Sequence, residues 1–117
     1  MSKPARFAKK DLSQVNLANT DLADADLHET NLRHATLKET NLERADLTQA
    51  DLTEANLAGA SLRDATAAHA NLEGADLRGT DLQGTNLRGA RLTGAKLSDE
   101  DRVQAERAGA EFEPAEE

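Results

Sequence analysis

Leucine recurs at every fifth position over most of this 117-residue chain. The series runs from Leu12 to Leu97 and contains 17 leucines, and Ala67 occupies the one slot that breaks it. Two residues before each slot, from Val15 to Ala95, stands Ala, Thr or Val, and the residue directly before the slot is mostly Asp or Asn. The chain is therefore a tandem repeat of the form Ala-Asp/Asn-Leu-x-x, and the period of five constrains its fold more than any other feature.

A period of five fits neither a straight α-helix nor a flat strand. Five residues turn an α-helix by about 500°, so successive leucines would move around the cylinder. Five is an odd number, so successive leucines of a flat strand would point to opposite faces. All the leucines share one interior only if the chain bends once in every repeat. The small residue and the leucine then point inwards, the Asp or Asn points outwards, and coils pair like parallel strands about 4.8 Å apart.

Several repeats have nearly the same sequence: ADLHE at 25–29, ADLTQ at 45–49 and ADLRG at 75–79. They resemble members of the pentapeptide-repeat family, and the resemblance extends from Ala5 to about Asp99. It implies an all-β solenoid, a right-handed, four-sided (quadrilateral) parallel β-helix with four pentapeptides per coil. Periodicity alone does not choose four sides over three. Counting back from Leu12 places Phe7 in the same slot, so 19 repeats form nearly five coils.

The C-terminal segment departs from the repeat and has the features of a short capping α-helix. Ser98 or Asp99 suits the N-cap position, and acidic residues fill the first turn. We expect the helix to run to about Ala108, with Gly109 placed to end it.

A cap is needed because the open end of a solenoid exposes apolar core and unpaired strand edge. We expect Val103, Ala108 and Phe112 to face Leu97 and cover the last coil, and residues 110–112 resemble a final repeat. The predicted organisation is a flexible N-terminus at 1–4, the pentapeptide-repeat β-helix at 5–98, the capping helix and last turn at 99–112, and an acidic tail at 113–117. At the N-terminal end, either Phe7 plugs the coil or two chains stack.

Six of the seven glycines occupy the last corner position of a repeat, and all six lie in the C-terminal half: Gly59, Gly74, Gly79, Gly84, Gly89 and Gly94. A type II turn needs a positive φ at its third residue, which glycine adopts without steric cost. The sequence therefore predicts mostly type II corners from Gly59 onwards and more varied corners before it.

Ala67 is the one irregularity in the leucine series. It either leaves a small cavity or lets the coil pinch inwards. A bulge or recognition point near His69 is the functional interpretation, and neutral substitution in a redundant core is the other.

The formal net charge of −8 is distributed unevenly. Residues 1–10 carry +4, residues 11–58 carry −7, residues 59–97 carry +1 and residues 98–117 carry −6. This balance argues against direct binding of nucleic acid and permits a basic partner surface. Met1–Lys10 contains no apolar run, so we expect no secretory signal and no membrane partner, and the predicted location is cytoplasmic.

No pattern in the sequence predicts an enzyme. The chain lacks cysteine, a nucleophile–base pair, a phosphate-binding Gly-rich loop and zinc-site spacing. The three histidines, His28, His34 and His69, fall at positions that cannot converge on one metal ion. We therefore expect no catalytic, cofactor-binding or metal-binding residues, and no cofactor.

The outward Asp/Asn column is the one candidate for a site. Asp26 and Asp46 stack on one side of the predicted coil, and Asp51 lies on the next side. Side chains of this kind also hydrogen-bond to the backbone near corners. Because nearly every repeat has an Asp or Asn at this position, a structural role of this kind explains the column better than a role in catalysis or ion binding. We take Asp26, Asp46 and Asp51 as candidate partner-binding residues.

The regular surface predicts a non-catalytic rigid scaffold, or protein-interaction module, that binds an unknown protein partner through a flat face or an end. The alternative is a DNA mimic that binds DNA gyrase or another topoisomerase, as quinolone-protection members of the family do. The acidic stretch from Asp11 to Asn56 supports the mimic. Three features weaken the mimic. Gyrase binders of the family typically carry phenylalanine in the slot that leucine fills here, and loops often interrupt their coils, whereas this chain has no insertion. The segment 59–97 is also nearly neutral. A monomer and an end-to-end homodimer both remain open.

Overall fold

Parallel β-bridges join residues twenty apart along most of the described chain, residues 4–112 of the computed structural model. They begin at Arg6 and Asp26 and continue in unbroken register to Asp76 and Lys96. Four pentapeptides therefore form one coil, and each residue stacks on the residue one coil away. Residues 1–3 and the predicted acidic tail at 113–117 lie outside the described residues.

Each side of a coil is shorter than a β-strand. Only the residue before each leucine slot forms a bridge, and helix α1 (Asp99–Arg107) is the one regular element in residues 4–112. Backbone hydrogen bonds flank every bridge: Asp46 N–H donates to Ala25 O at 2.9 Å, and Leu27 N–H donates to Asp46 O at 2.8 Å. A third bond joins successive corners. The backbone itself therefore sets the spacing of the coils.

Leucines and their small partners fill the interior. Every leucine from Leu22 to Leu92 is at most 4% exposed. Burial of each leucine contributes on the order of 1.5–3 kcal/mol to the free energy of folding, which makes the leucine ladder the main stabilising term.

Threonine replaces alanine inside the coil without leaving its hydroxyl unpaired. The buried hydroxyl of Thr80 donates to the carbonyl oxygen of Leu57 at 2.7 Å, and that of Thr85 donates to Leu62 at 2.6 Å. Both acceptors belong to the preceding coil. Each of these two threonines therefore adds one more bond between coils.

Ala67 does not interrupt the regular array of backbone hydrogen bonds between coils, here called the lattice. It is 1% exposed, and its N–H donates to Asn86 O at 2.7 Å. Thr66 bridges both Asp46 and Asn86. The structure therefore has no bulge near His69 and favours neutral substitution, because the backbone bonds between coils hold this repeat in the common shape.

The corners have one conformation throughout. The last corner residue has a φ of 56–63° where it is not glycine, from Lys9 to His69, and 69–75° at the corner glycines from Gly59 to Gly94. The turn is closed by a bond such as that from Ala50 N–H to Leu47 O, at 3.0 Å. A positive φ at the third residue only is the type II pattern. The prediction of varied corners before Gly59 is wrong, because each corner N–H must reach the next coil.

The C-terminal cap is a helix that leaves the lattice and then rejoins it. The Ser98 side chain accepts a hydrogen bond from Asp101 N–H at 3.1 Å, which confirms the predicted N-cap. After α1, Glu111 forms a bridge with Arg91, and Phe112 is only 7% exposed in the leucine register. Residues 110–112 are therefore a final repeat, as predicted.

The predicted contact of Val103 with the last coil is wrong. Val103 is 46% exposed, and Ala105 is the fully buried residue of α1. The two residues lie about 200° apart around the helix, so the face that carries Ala105 packs on the coil and Val103 faces outwards. The chain just after the helix approaches the coil closely, since Ala108 O accepts the N–H of Leu87 at 3.2 Å. Gly109 shows the same constraint, because a Cβ at its position would lie 2.7 Å from Arg88 Cα.

Helix α1 is nine residues long. Within residues 4–112, no helix has the length and apolar character needed to span a membrane.

Replacing Gln49 with glycine tests the uniform corner. Gln49 has a φ of 59°, and a side chain in this region costs about 1–2 kcal/mol. Glycine avoids that cost but loses more chain entropy, so we expect Gln49→Gly to raise the free energy of unfolding by about 0.5–1 kcal/mol in urea denaturation. The control is Thr48→Gly at the neighbouring corner position, which has no positive φ. We expect this substitution to lower the free energy of unfolding by about 0.5–1 kcal/mol. Equal losses from both substitutions would contradict the uniform corner.

Candidate partner-binding surfaces

The structure brings two of the three candidate aspartates together. Asp26 and Asp46 are bridge partners on one side of the coil, here called the Asp26 side. Asp51 lies on the next side, where it bridges Asn31 and Asn71. All three side chains are half-buried.

One oxygen of each aspartate is engaged with the backbone at the following corner. Asp46 Oδ1 accepts the N–H of Thr48 at 3.0 Å, and Asp51 Oδ1 accepts the N–H of Thr53 at 3.0 Å. The same bond, to the N–H two residues ahead, recurs at Asp11, Asn16, Asp21, Asp26, Asn31, Asn41, Asn56, Asn71, Asp76, Asp81 and Asn86. The predicted backbone role of this column is confirmed, and the second carboxylate oxygen is left for other contacts.

Arginines neutralise part of the acidic half of the chain. Arg33 Nη1 lies 3.4 Å from Asp51 Oδ2, and Arg44 pairs with Asp24 at 2.9 Å. The Arg44 guanidinium lowers the pKa of the Asp24 carboxyl, chiefly through this hydrogen bond. Within residues 4–112, Asp46 forms no ion pair with a lysine or arginine. Asp46 is therefore a stronger candidate for an external contact than Asp51.

His28 is the residue of the Asp26 side that sequence reasoning missed. Its Nδ1 lies 2.5 Å from Asp26 Oδ1, and this hydrogen bond is the largest cause of a lowered Asp26 pKa. Single ligand atoms of Asp26, His28 and Asp46 all lie within 4.8 Å of one another. The sequence signals for this cluster are the Asp-x-His spacing of Asp26 and His28 and the stacking of residues twenty apart, which places Asp46 beside them.

Among the described residues, 4–112, no element covers the N-terminal end of the solenoid. In its first coil, five apolar side chains that pack against the core are only half-buried: Ala5, Phe7, Leu12, Val15 and Leu17. In residues 4–112, no backbone partner is found for the N–H or C=O groups of Arg6, Asp11, Asn16 and Asp21. These are the groups that bond to the preceding coil in every later repeat, so this end presents an edge for pairing.

The C-terminal end is mostly closed by α1 and Phe112. A shallow, open depression remains beside the helix, lined by Arg78, Gly79, Ala95, Lys96, Leu97 and Ser98. Leu97 is half-buried there, so the cap covers only part of the last coil.

An ion pair stands at the rim of this depression. Arg78 Nη2 lies 2.7 Å from Asp76 Oδ2, and its Nε lies 2.9 Å from Asp76 Oδ1. This side-chain hydrogen bonding lowers the pKa of Asp76 to about 2, against the opposing effect of burial. The carboxylate is therefore charged at any physiological pH.

The Asp76–Arg78 pair should make stability depend on pH. The folded-state pKa lies below the unfolded one, so the stabilisation is full above about pH 4 and is lost as the pH falls towards 2. We expect Asp76→Asn to lose about 1 kcal/mol of unfolding free energy at pH 7, less than the full shift implies because Arg78 is 67% exposed. Urea denaturation at several pH values measures the difference, which should decrease below about pH 4 and vanish only below about pH 2. The control Asp46→Asn keeps its corner bond and has no arginine to lose, so a loss equal to that of Asp76→Asn would contradict the assignment.

The chain belongs to the pentapeptide-repeat family. The family profile, described as pentapeptide repeats, matches it over residues 11–49, 30–66 and 60–99, in eight copies. No curated protein matches the chain. The relatives found indicate no enzyme family.

Solved structures of other pentapeptide repeat proteins resemble this one. The protein from the cyanobacterium Cyanothece 51142 has 36% sequence identity and a TM-score of 0.81, over 84% of this chain and 67% of that chain. A second, from Nostoc Pcc 7120, has 32% identity and a TM-score of 0.54, over 94% of this chain and 86% of that chain. The fluoroquinolone resistance protein QnrB1 has 17% identity and a TM-score of 0.39, over 90% of this chain and 70% of that one.

Proposed function

We propose that this chain is a non-catalytic, rigid scaffold and protein-interaction module, and that a partner binds at its open N-terminal end. In keeping with the family's fold, we take the solenoid to be a right-handed quadrilateral β-helix. The observation that carries the proposal is the difference between the two ends. α1 and a final repeat cover much of the C-terminal end, whereas the first coil carries a half-buried apolar ring and edge groups with no backbone partner within residues 4–112.

The first coil contains what a pairing surface needs. Its apolar ring would lose water on contact. The N–H and C=O groups that have no backbone partner among the described residues would gain hydrogen bonds, as when a strand is added to a sheet edge. An edge of this kind pairs with other chains unless it is blocked by charge, proline or a covering element. The interior of the lattice offers no comparable site, because its buried polar atoms all have partners in the described residues.

The charges of the first coil favour a second copy as the partner. Arg6, Lys9 and Lys10 lie at its start, and Asp11, Asp21 and Asp24 follow, so residues 6–24 have no net charge. A two-fold axis across the end can bring the basic side of one copy to the acidic side of the other, with the facing edges antiparallel. A C2 interface requires this kind of self-complementary surface.

The area of the end limits the strength of such a dimer. The body measures 24 × 20 Å across its shorter axes, so end-to-end contact buries about 500 Å² per partner. That total of about 1,000 Å² lies at the low end for specific interfaces, and we expect micromolar rather than nanomolar affinity.

Sedimentation equilibrium between about 10 and 500 µM protein tests the proposal over this affinity range. We expect a monomer–dimer equilibrium, weakened by Leu12→Glu in the apolar ring and by Asn16→Pro on the unbonded edge. Val103→Glu, which alters an exposed apolar residue near the other end, is the matched control and should leave the equilibrium unchanged. Circular dichroism checks that each variant keeps its fold. A wild-type monomer at every concentration, or equal weakening by Val103→Glu, would show that this end does not bind a second copy.

The alternative function is a DNA mimic that binds DNA gyrase or another topoisomerase. The acidic stretch supports it, in particular the stacked carboxylates of Asp26 and Asp46, neither of which has a lysine or arginine ion-pair partner within residues 4–112. The pairing of Asp51 with Arg33 and of Asp24 with Arg44 reduces the acidic surface and weakens the proposal.

A gyrase supercoiling assay, with and without a fluoroquinolone, separates the two functions. A mimic would inhibit supercoiling or protect gyrase from the drug at micromolar concentrations, and Asp26→Lys, Asp46→Lys and Asp51→Lys together would abolish the effect. Asp64→Lys in the nearly neutral half is the control and should have little effect. No inhibition or protection at several hundred micromolar would rule out this alternative.

A further inference from the structure

Two carboxylates and an imidazole meet on the Asp26 side of the solenoid. Asp26, His28 and Asp46 each offer one ligand atom, and these atoms lie within 4.8 Å of one another. The side chains are half-buried, with 43% of Asp26 and 34% of His28 exposed. The cluster is thus open to an ion from solvent while its ligands remain close together.

The backbone holds all three residues in place. Asp26 N–H donates to Ala5 O, and Asp46 N–H donates to Ala25 O, both at 2.9 Å. His28 O accepts the N–H of Lys9 at 3.0 Å. The ligands therefore belong to two successive coils whose separation is fixed by the lattice, so binding an ion requires side-chain rotation only.

The local charges favour a divalent cation. The carboxylates of Asp26 and Asp46 stack one coil apart, and Glu29 Oε2 lies 4.0 Å from His28 Nε2. Arg6, the bridge partner of Asp26, supplies positive charge on the N-terminal side only. Like charges stacked in this way repel each other, and an ion between them would remove that repulsion.

We propose that Asp26, His28 and Asp46 bind one Zn²⁺ ion, with water completing a four-coordinate site. One imidazole nitrogen and two carboxylate oxygens are ligands that zinc accepts at about 2.0–2.2 Å. Calcium needs six to eight oxygen ligands, and magnesium prefers oxygen in octahedral geometry. Binding replaces the hydrogen bond between His28 and Asp26 with two bonds to the metal, and it connects the second and third coils through their side chains.

Imidazole NMR spectra of the full chain titrated with ZnCl2 test this site directly. The chain has three histidines, so the ring signals can be assigned by single substitutions. We expect the His28 signals to shift and to saturate at one equivalent of Zn²⁺, while those of His34 and His69 stay unchanged. Equal responses from all three histidines, or no response from His28, would overturn the proposal.

Calorimetric titration of variants identifies the ligands. We expect Asp46→Asn and His28→Ala each to weaken Zn²⁺ binding more than tenfold, and Asp46→Asn still has an oxygen to accept the Thr48 N–H. His34→Ala and Asp51→Asn are the matched controls and should bind Zn²⁺ like the wild type. Unchanged affinity in His28→Ala or Asp46→Asn, in protein that keeps its wild-type circular dichroism, would show that any bound Zn²⁺ lies elsewhere. Calcium binding as tight as Zn²⁺ binding would also contradict a site that depends on imidazole.

Discussion

The backbone hydrogen bonds between residues twenty apart are the interaction on which the rest of the structure depends. Because each repeat bonds to the repeats above and below it, all repeats must have the same backbone shape. The corner residue therefore takes a left-handed conformation whether it is Gly59 or Gln49. The leucines fill an interior that this lattice defines, and a slot occupied by Ala67 leaves the bridges on both sides intact.

The same lattice determines where a partner or ligand can bind. Inside the coil, hydroxyls such as that of Thr80 are bonded to the backbone, and the space is filled by apolar side chains. Side chains that can bind a partner or an ion therefore lie at the two ends or in the outward-facing rows, in which residues twenty apart are stacked. On the rows, stacking brings together residues distant in sequence, such as His28 and Asp46. At the ends, the hydrogen bonds between coils stop and leave an unpaired edge. Among the described residues, helix α1 and the final repeat cover the C-terminal edge.

Much of the fold could be predicted from the sequence, because a period of five excludes a straight helix and a flat strand. The N-cap at Ser98 and the final repeat ending at Phe112 also follow from local patterns. The exposure of Val103 could not be predicted, because it depends on which face of α1 packs on the last coil. The glycine positions suggested two kinds of corner, but hydrogen bonding between coils overrides the preference of residues such as Gln49. The backbone bonds of the Asp/Asn column were predictable from spacing, whereas the contact of His28 with Asp26 depends on its rotamer at the corner.

The most direct test of the lattice compares two deletions. One removes a whole coil of twenty residues, and the other removes nineteen residues. Deleting residues 50–69 joins Gln49 to Ala70 and keeps every later residue in register. Deleting residues 50–68 joins Gln49 to His69 and leaves one extra corner residue. We expect the first protein to unfold cooperatively in urea with an m-value reduced in proportion to the lost coil, and the second to lose cooperative unfolding. Similar cooperative unfolding of both proteins would contradict the central role of the twenty-residue hydrogen-bond register.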